Sequence, residues 1–244
     1  TYLSTTFKTF KSQEHPIVLK KGRMQYVWDN HDKRYIDLVA QNICVSVGHC
    51  HPKIVDAANK QMQEMAHCSS AFYHEKPALL AKKLIEKVPP HPSGDDWVVH
   101  LVNNGSEAVD LAVQMAKVYT NRPEIIALYK GYHGLQGYAA GLTAIGKSTQ
   151  SCYSSMFPSI YHVEPNDIKQ LKNILKYTTH GKIGGIIIEP LQGYGGVFPL
   201  EKNYMKKAFH FVKKCGGVSI ADEVQTGYGR CGESFWGFQM KHND

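Results

Sequence analysis

The stretch from Ile183 to Arg230 constrains the fold more than any other. It reads IGGIIIEPLQGYGG, then EKNYMKKAFHFVKKCGG, then VSIADEVQTGYGR. Two short β-branched runs, Ile186–Ile188 and Val218–Ala221, have the composition and length of strands buried on both faces. Between them Tyr204, Ala208, Phe211 and Val212 recur at helical spacing, while Lys206, Lys207, Lys213 and Lys214 take other positions. A strand, helix, strand crossover makes the two strands parallel, so both end at the same edge of the sheet. Each ends in acid: Glu189 before Pro190, and Asp222 with Glu223. A carboxylate at a buried strand end is costly unless a cation or several donors meet it. That edge is also where ligands bind in open α/β sheets. The unit therefore predicts a ligand that carries positive charge, or a proton it can share, above these strands.

The chain has 244 residues, 43% of them hydrophobic, enough for one large α/β domain with a full core. A net charge of +7 could suggest nucleic acid, but the lysines fall in scattered pairs such as Lys20–Lys21, Lys82–Lys83 and Lys206–Lys207. A solvated basic surface suited to small anionic substrates is expected, with no nucleic-acid partner. The six cysteines show no CxxC spacing and read as reduced thiols in an intracellular compartment. No run approaches the ~18 apolar residues that span a membrane, so no membrane partner is expected. The opening TYLSTTFKTFKSQEHP is rich in hydroxyls but lacks the arginines of a transit peptide.

From Ile17 to Leu38 apolar and polar residues alternate about a turn at Asp29–Lys33, which predicts a hairpin or small meander. A helix over Ile54–Met65 has Pro52 in its first turn. His49, Cys50 and His51 lie too close together to face one ion easily, so they read as a turn and no metal site is expected. After a helix over Pro77–Val88 and a loop, PPHPSGDD, a strand is predicted over Trp97–Val102. Asn103-Asn104-Gly105-Ser106-Glu107 follows and opens a helix with Ala108, Leu111, Ala112, Met115, Ala116 and Tyr119 on its apolar stripe. A glycine and a hydroxyl at such a turn form a phosphate cradle or an ordinary N-cap made by Asn104 or Ser106; the local pattern does not choose. The next strand, Ile125–Tyr129, leads into Lys130-Gly131-Tyr132-His133-Gly134, where an aromatic and an imidazole could stack on a flat ligand or simply pack a turn. Residues 141–160 read as a loop and Asp167–Tyr177 as a helix. Gly227, Gly229 and Gly232 spell GxGxxG without the flanking strand and helix of a dinucleotide site, and no serine sits in G-x-S-x-G.

Three strand ends thus offer a phosphate cradle, an aromatic surface and a carboxylate for a ring cation. A phosphorylated, planar, protonatable cofactor satisfies all three, and pyridoxal phosphate is the obvious candidate. Asp222 would keep its pyridine nitrogen protonated, and a lysine is needed to carry it.

The segments VSVGHCHPK, NNGSEA, GYHG, IIIEPLQGYGG, IADEVQTGYGR and FWGFQ follow one another in family order between about Pro16 and Gln239. In them the chain resembles the class III (omega-type) pyridoxal-phosphate-dependent aminotransferases of fold type I, and within these the mitochondrial alanine-glyoxylate type. The resemblance implies an α/β fold, with a mostly parallel central sheet and helices on both faces. Residues 1–45 would belong to a small β-containing domain and residues 46–244 to an incomplete large cofactor-binding domain. It implies that Gly105 and Ser106 hold the cofactor phosphate, that Tyr132 stacks on one ring face and that Val224 packs on the other. Asp222 would pair with the ring nitrogen and act in catalysis, Gln225 would reach the phenolic oxygen, and His133 and Glu189 would line the pocket.

The implied reaction is transamination between alanine or a β-amino acid and a 2-oxo acid such as glyoxylate or pyruvate. It would take place in a homodimer, in mitochondria or the cytoplasm. The family's lysine, its carboxylate-binding arginine and a threonine given by the neighbouring subunit would follow Asp244, so residues 1–244 alone are expected to have little or no activity. Tyr194 stands where ornithine and GABA enzymes carry a gating glutamate, which argues against those substrates. Gln41-Asn42 replaces a small residue or glycine, which bears on entry to the site. A shortened noncatalytic relative that binds cofactor or pairs with full-length subunits, and a phospho-lyase acting on a phosphorylated amine, are the alternatives.

Overall fold

The N-terminal alternation folds as an antiparallel meander, β1 (Leu19–Arg23), β2 (Tyr26–Asp29) and β3 (Arg34–Ile36), with the β2–β3 turn at the expected place. This is a computed structural model; it describes residues 17–91, 93–145 and 156–243, so the hydroxyl-rich N-terminal stretch lies outside the described residues. Asp29 holds the β2–β3 turn: one carboxylate oxygen accepts from the backbone amides of His31 and Lys33, the other from the Tyr35 hydroxyl. Helix α1 (Pro52–Glu64) opens with Pro52 at its start. His49 is used locally, its Nε2 2.7 Å from Asp37 Oδ2, and that hydrogen bond holds the Asp37 carboxyl below the usual range against the opposing effect of burial. The chain divides into two compact units, Thr1–His74 and Glu75–Asp244.

Between the meander and α1, the short helical turn Ala40–Ile43 is left-handed throughout, with φ of 49°, 48°, 61° and 66°. A side chain in this region crowds its own carbonyl and costs roughly 1–2 kcal/mol per residue, which glycine avoids. A small residue or glycine suits this turn for that reason, and Gln41-Asn42 tolerates it at a cost. We expect Gln41→Gly to raise stability by about 0.5–1 kcal/mol in urea unfolding, the relief being partly offset by the added freedom of the unfolded chain.

In the second unit α2 spans Glu75–Ile85 and α3 spans Gly105–Thr120. Then follow β4 (Ile125–Leu128), α4 (Gly137–Leu142), β5 (Ile160–Val163) and α5 (Ile168–Asn173), which runs on as a π-helical turn, Ile174–Thr178. After β6 (Gly185–Ile188) a two-residue pair, β7 (Leu191–Gln192) and β8 (Phe198–Pro199), leads to α6 (Tyr204–Lys214) and β9 (Val218–Ala221). The central sheet has the order β5-β4-β6-β9 with every pair parallel. The opening strand, helix, strand unit therefore forms as read, with β6 and β9 adjacent.

Strand periodicity sorts the core into two layers. Ile126, Leu128, Ile186 and Ile188 face α5 and α6, meeting Leu171, Leu175, Tyr204, Met205, Ala208 and Val212. Ile125, Ala127 and Ile187 face the other way, toward Val109, Val113 and Ala116 of α3 and Ala139 and Leu142 of α4. Alternate residues of one strand serve opposite layers, which is why β4 and β6 are apolar at nearly every position.

Three expectations need correction. Trp97–Val102 forms no strand, because no neighbouring strand meets it among the described residues; Val98, Leu101 and Val102 are exposed. The buried stripe of α3 is Val109, Val113 and Ala116, while Ala108, Met115 and Tyr119 are exposed. This helix is apolar on two faces, and the sheet takes the one with the more compact side chains. Gly141 and Leu142 end α4 rather than beginning a loop; residues 146–155 of that loop lie outside the described residues.

Candidate active site

Because all four strands run the same way, β4, β6 and β9 deliver their C-terminal residues to one edge, where Tyr132-His133, Glu189 and Asp222 follow directly. The centre of this edge is a buried pair: His133 Nδ1 lies 2.7 Å from Asp222 Oδ2, with the two side chains 1% and 3% exposed. With Asp222 as a carboxylate, the hydrogen sits on Nδ1 and the imidazole is the donor. The other oxygen, Oδ1, accepts from the Val224 amide at 3.1 Å. His133 is fixed in turn by its backbone amide, which donates to Thr143 Oγ1 at 2.9 Å; the Thr143 hydroxyl can donate to Gly134 O at 2.8 Å or Ala139 O at 3.0 Å. The imidazole thus sits behind the acid as its support. His133 Nε2 is buried without a hydrogen-bond partner among the described residues.

The second acid, Glu189, is 5% exposed, and its Oε1 accepts from the Tyr132 amide at 2.8 Å. Burial pushes its carboxyl up to about 7; Asp222 adds to the rise, and His133 and the amides of Tyr132 and Gly193 oppose it. Glu223, grouped with Asp222 in the sequence, turns to a different task. Its carboxylate accepts from the Thr226 hydroxyl at 2.6 Å and from the amides of Gly237 and Phe238, both at 2.7 Å. These several donors satisfy the half-buried carboxylate, and they tie the loop after β9 to the 3-10 turn Gly237–Gln239.

The turn before α3 reaches the same place. Asn104 is its N-cap, with the side-chain oxygen accepting from the Glu107 amide at 3.0 Å. The amides of Gly105 and Ser106 lie in the first turn, where no intrahelical acceptor exists, so the Asn104 cap leaves them open to an outside acceptor. A Cβ on Gly105 would lie 3.0 Å from Val224 Cγ1, and one on Gly134 would collide with Ser106 Oγ. The three turns therefore touch: Gly105 against Val224, Ser106 against the Tyr132-His133-Gly134 turn, and His133 against Asp222. Gln225 lies against Gly193, where a Cβ would have no room. Tyr132 is stacked on Tyr194, with centroids 4.7 Å apart and planes 24° apart, so one face of the Tyr132 ring is already covered. These contacts link Gly105 with Val224, Ser106 with the 132–134 turn, His133 with Asp222 and Glu189 with Tyr132. Thr143, and the use of His133 as a support, were not foreseen, because no spacing signal links residues so far apart in the chain.

The group has the chemistry of an anion site at a helix start beside an aromatic ring and a buried carboxylate, on an open parallel sheet. The same architecture occurs in solved transaminases. The structure of taurine:2-oxoglutarate aminotransferase from Bifidobacterium kashiwanohense, in complex with PLP and glutamate, matches with a TM-score of 0.84 at 26% identity, over 95% of this chain and 55% of that one. Residues 9–243 match the family model described as Aminotransferase class-III. The chain belongs to the class-III aminotransferase family, with the fold type I architecture. It is 35% identical over 259 residues to the human mitochondrial alanine--glyoxylate aminotransferase 2, covering 93% of this chain and 50% of that protein. It is 38% identical over 240 residues to the mitochondrial homolog 2 of that enzyme from Arabidopsis thaliana, covering 93% of this chain and 49% of that protein. The chain thus spans about half the length of the curated relatives it matches.

Two outcomes test this geometry. Glu189 in the folded protein keeps a proton that the unfolded chain releases above its ordinary 4.5, so its contribution to stability is lost as pH rises from there toward 7. Glu189→Gln should therefore flatten the dependence of the urea midpoint on pH across that interval and leave the variant the more stable by roughly 2–3 kcal/mol above it. Gly134→Ala adds a methyl against Ser106 at a φ of +127°. It should cost roughly 2–4 kcal/mol in the same measurement, well beyond Gly94→Ala, where nothing lies within 4 Å.

Proposed function

We propose that this chain, as part of a longer protein, binds pyridoxal 5'-phosphate at the carboxyl edge of the sheet and takes part in transamination. The donor would be alanine or a β-amino acid and the acceptor a 2-oxo acid such as glyoxylate or pyruvate. The single observation that carries the reading is the convergence of Asp222, backed by His133, with the Gly105–Ser106 turn. One supplies a fixed negative charge for a protonated ring nitrogen, the other supplies amides for a phosphate, and a flat cofactor with both groups bridges them. When bound, the cofactor supplies an electron sink for amino-group chemistry.

The residues of this chain would do the rest. The amides of Gly105 and Ser106 and the Ser106 hydroxyl would hold the phosphate, and Val224 and the free face of Tyr132 would confine the ring. Asp222 would keep the ring nitrogen protonated, and His133 would keep Asp222 aimed. Gln225 would reach the phenolic oxygen, with Glu189 beside it as a carboxyl able to gain or lose a proton near neutrality. Tyr194, uncharged and stacked on Tyr132, gives that side of the pocket an aromatic wall, which suits small donors without a distal charge. The mitochondrial relatives and the family's likeness support a mitochondrial homodimer as part of the same proposal.

The test uses the longer protein supplied with pyridoxal phosphate, alanine and glyoxylate, beside Asp222→Asn, which keeps the size of the side chain. We expect the variant to unfold at a similar temperature, to bind cofactor with an altered absorption spectrum, and to lose at least about a hundredfold in turnover. Turnover close to the parent would remove the assignment of Asp222. Release of phosphate from a phosphorylated amine, with no amino transfer to glyoxylate, would replace transamination with elimination.

A further inference from the structure

The lysines that look scattered in the sequence are gathered by the fold. Helix α5 with its π-helical extension, residues 168–178, carries Lys169, Lys172 and Lys176; α6 carries Lys206, Lys207, Lys213 and Lys214; neither element contains an acid. All seven are exposed. The two elements lie side by side over one face of the sheet, sharing a core through Leu171, Leu175, Ala208 and Val212. They also join at the surface, where Lys172 Nζ lies 4.2 Å from the centre of the Phe211 ring. Seven is the entire net charge of the chain, so the remaining residues are balanced and the excess lies on this one helical layer. The nearest acids in sequence, Glu164, Asp167 and Glu201, all precede the two helices, and Asp167 is taken up in capping α5.

We propose that this layer is a docking surface for an anionic phospholipid bilayer. Three features select that partner. The patch holds lysine without arginine, giving diffuse point charges rather than the planar forks that read phosphates of nucleic acid in fixed geometry. Its aliphatic residues are spent on the sheet and none of them is exposed, so it lacks the apolar centre of a protein interface. Tyr177 is 63% exposed among the lysines, with Lys176 Nζ 4.7 Å from its ring centre, an arrangement suited to the headgroup region. The surface is separate from the cofactor site and does not depend on it, since none of the seven lysines is among the residues placed there.

The experiment is co-sedimentation of the purified longer protein with vesicles of phosphatidylcholine alone, or of phosphatidylcholine with phosphatidylserine, at low and at near-physiological salt, with a vesicle-free control. We expect binding only to the anionic vesicles, weakening as salt rises. The variant Lys206→Glu/Lys207→Glu/Lys213→Glu/Lys214→Glu should bind roughly a hundredfold more weakly, while Lys82→Glu/Lys83→Glu on α2 should bind like the parent. Replacement of the same four lysines by glutamine, checked for an unchanged melting curve, separates lost charge from lost folding. Equal binding to neutral vesicles, undiminished binding by the glutamine variant, no sedimentation at low salt, or preference for duplex DNA in competition would each overturn the proposal.

Discussion

A carboxylate at the end of a buried strand is the condition to which much of this structure answers. Asp222 stands at the edge of a sheet with a low-dielectric core behind it, and alone it would be expensive. The His133 ring at 2.7 Å and the Val224 amide meet it. Thr143 then fixes His133, and the turn that carries His133 is the one against which Ser106 lies. Satisfying one acid thereby sets the positions of three chain segments, and a ligand meets a surface arranged before it arrives.

The neighbouring acids show how strongly placement decides role. Asp222 and Glu223 are adjacent in sequence just past the end of β9, yet they meet different neighbours. Glu223 is surrounded by donors from its own loop and serves as a staple. Glu189 meets fewer donors and more burial, which moves its proton affinity toward neutrality. Three carboxylates of similar chemistry thus become the partner of a buried imidazole, a structural tie and a titrating group.

Much of the fold was legible in the sequence because its core strands are short and strongly apolar. Ile186–Ile188 and Val218–Ala221 leave little alternative to burial, and the spacing of Tyr204, Ala208 and Val212 admits one helix face. Trp97–Val102 was misread because composition reports a segment's preference for extension but not the presence of a neighbour to hydrogen-bond it. The α3 stripe was misread because two of its faces are apolar, and only the shape of the sheet surface chooses between them. At the site, the residue types at strand ends were visible. The backing of Asp222 by His133 was not, since nothing in a linear pattern states that two residues 89 positions apart will share a proton. The lysine layer was hidden for the same reason: α5 and α6 are distant in sequence and adjacent only after the sheet forms.

The order of strands across the sheet also governs when the site can exist. β4 lies inside the sheet and is the earliest of the four to leave the ribosome, whereas β9, which carries Asp222, lies at an edge and emerges last. Until β9 docks on β6, His133 Nδ1 lacks its Asp222 partner. Residues from Gly105 to Asp222 must therefore all be synthesised before the pocket closes on itself, and a nascent chain stalled within that span would display the glycine turn without the charge it works with.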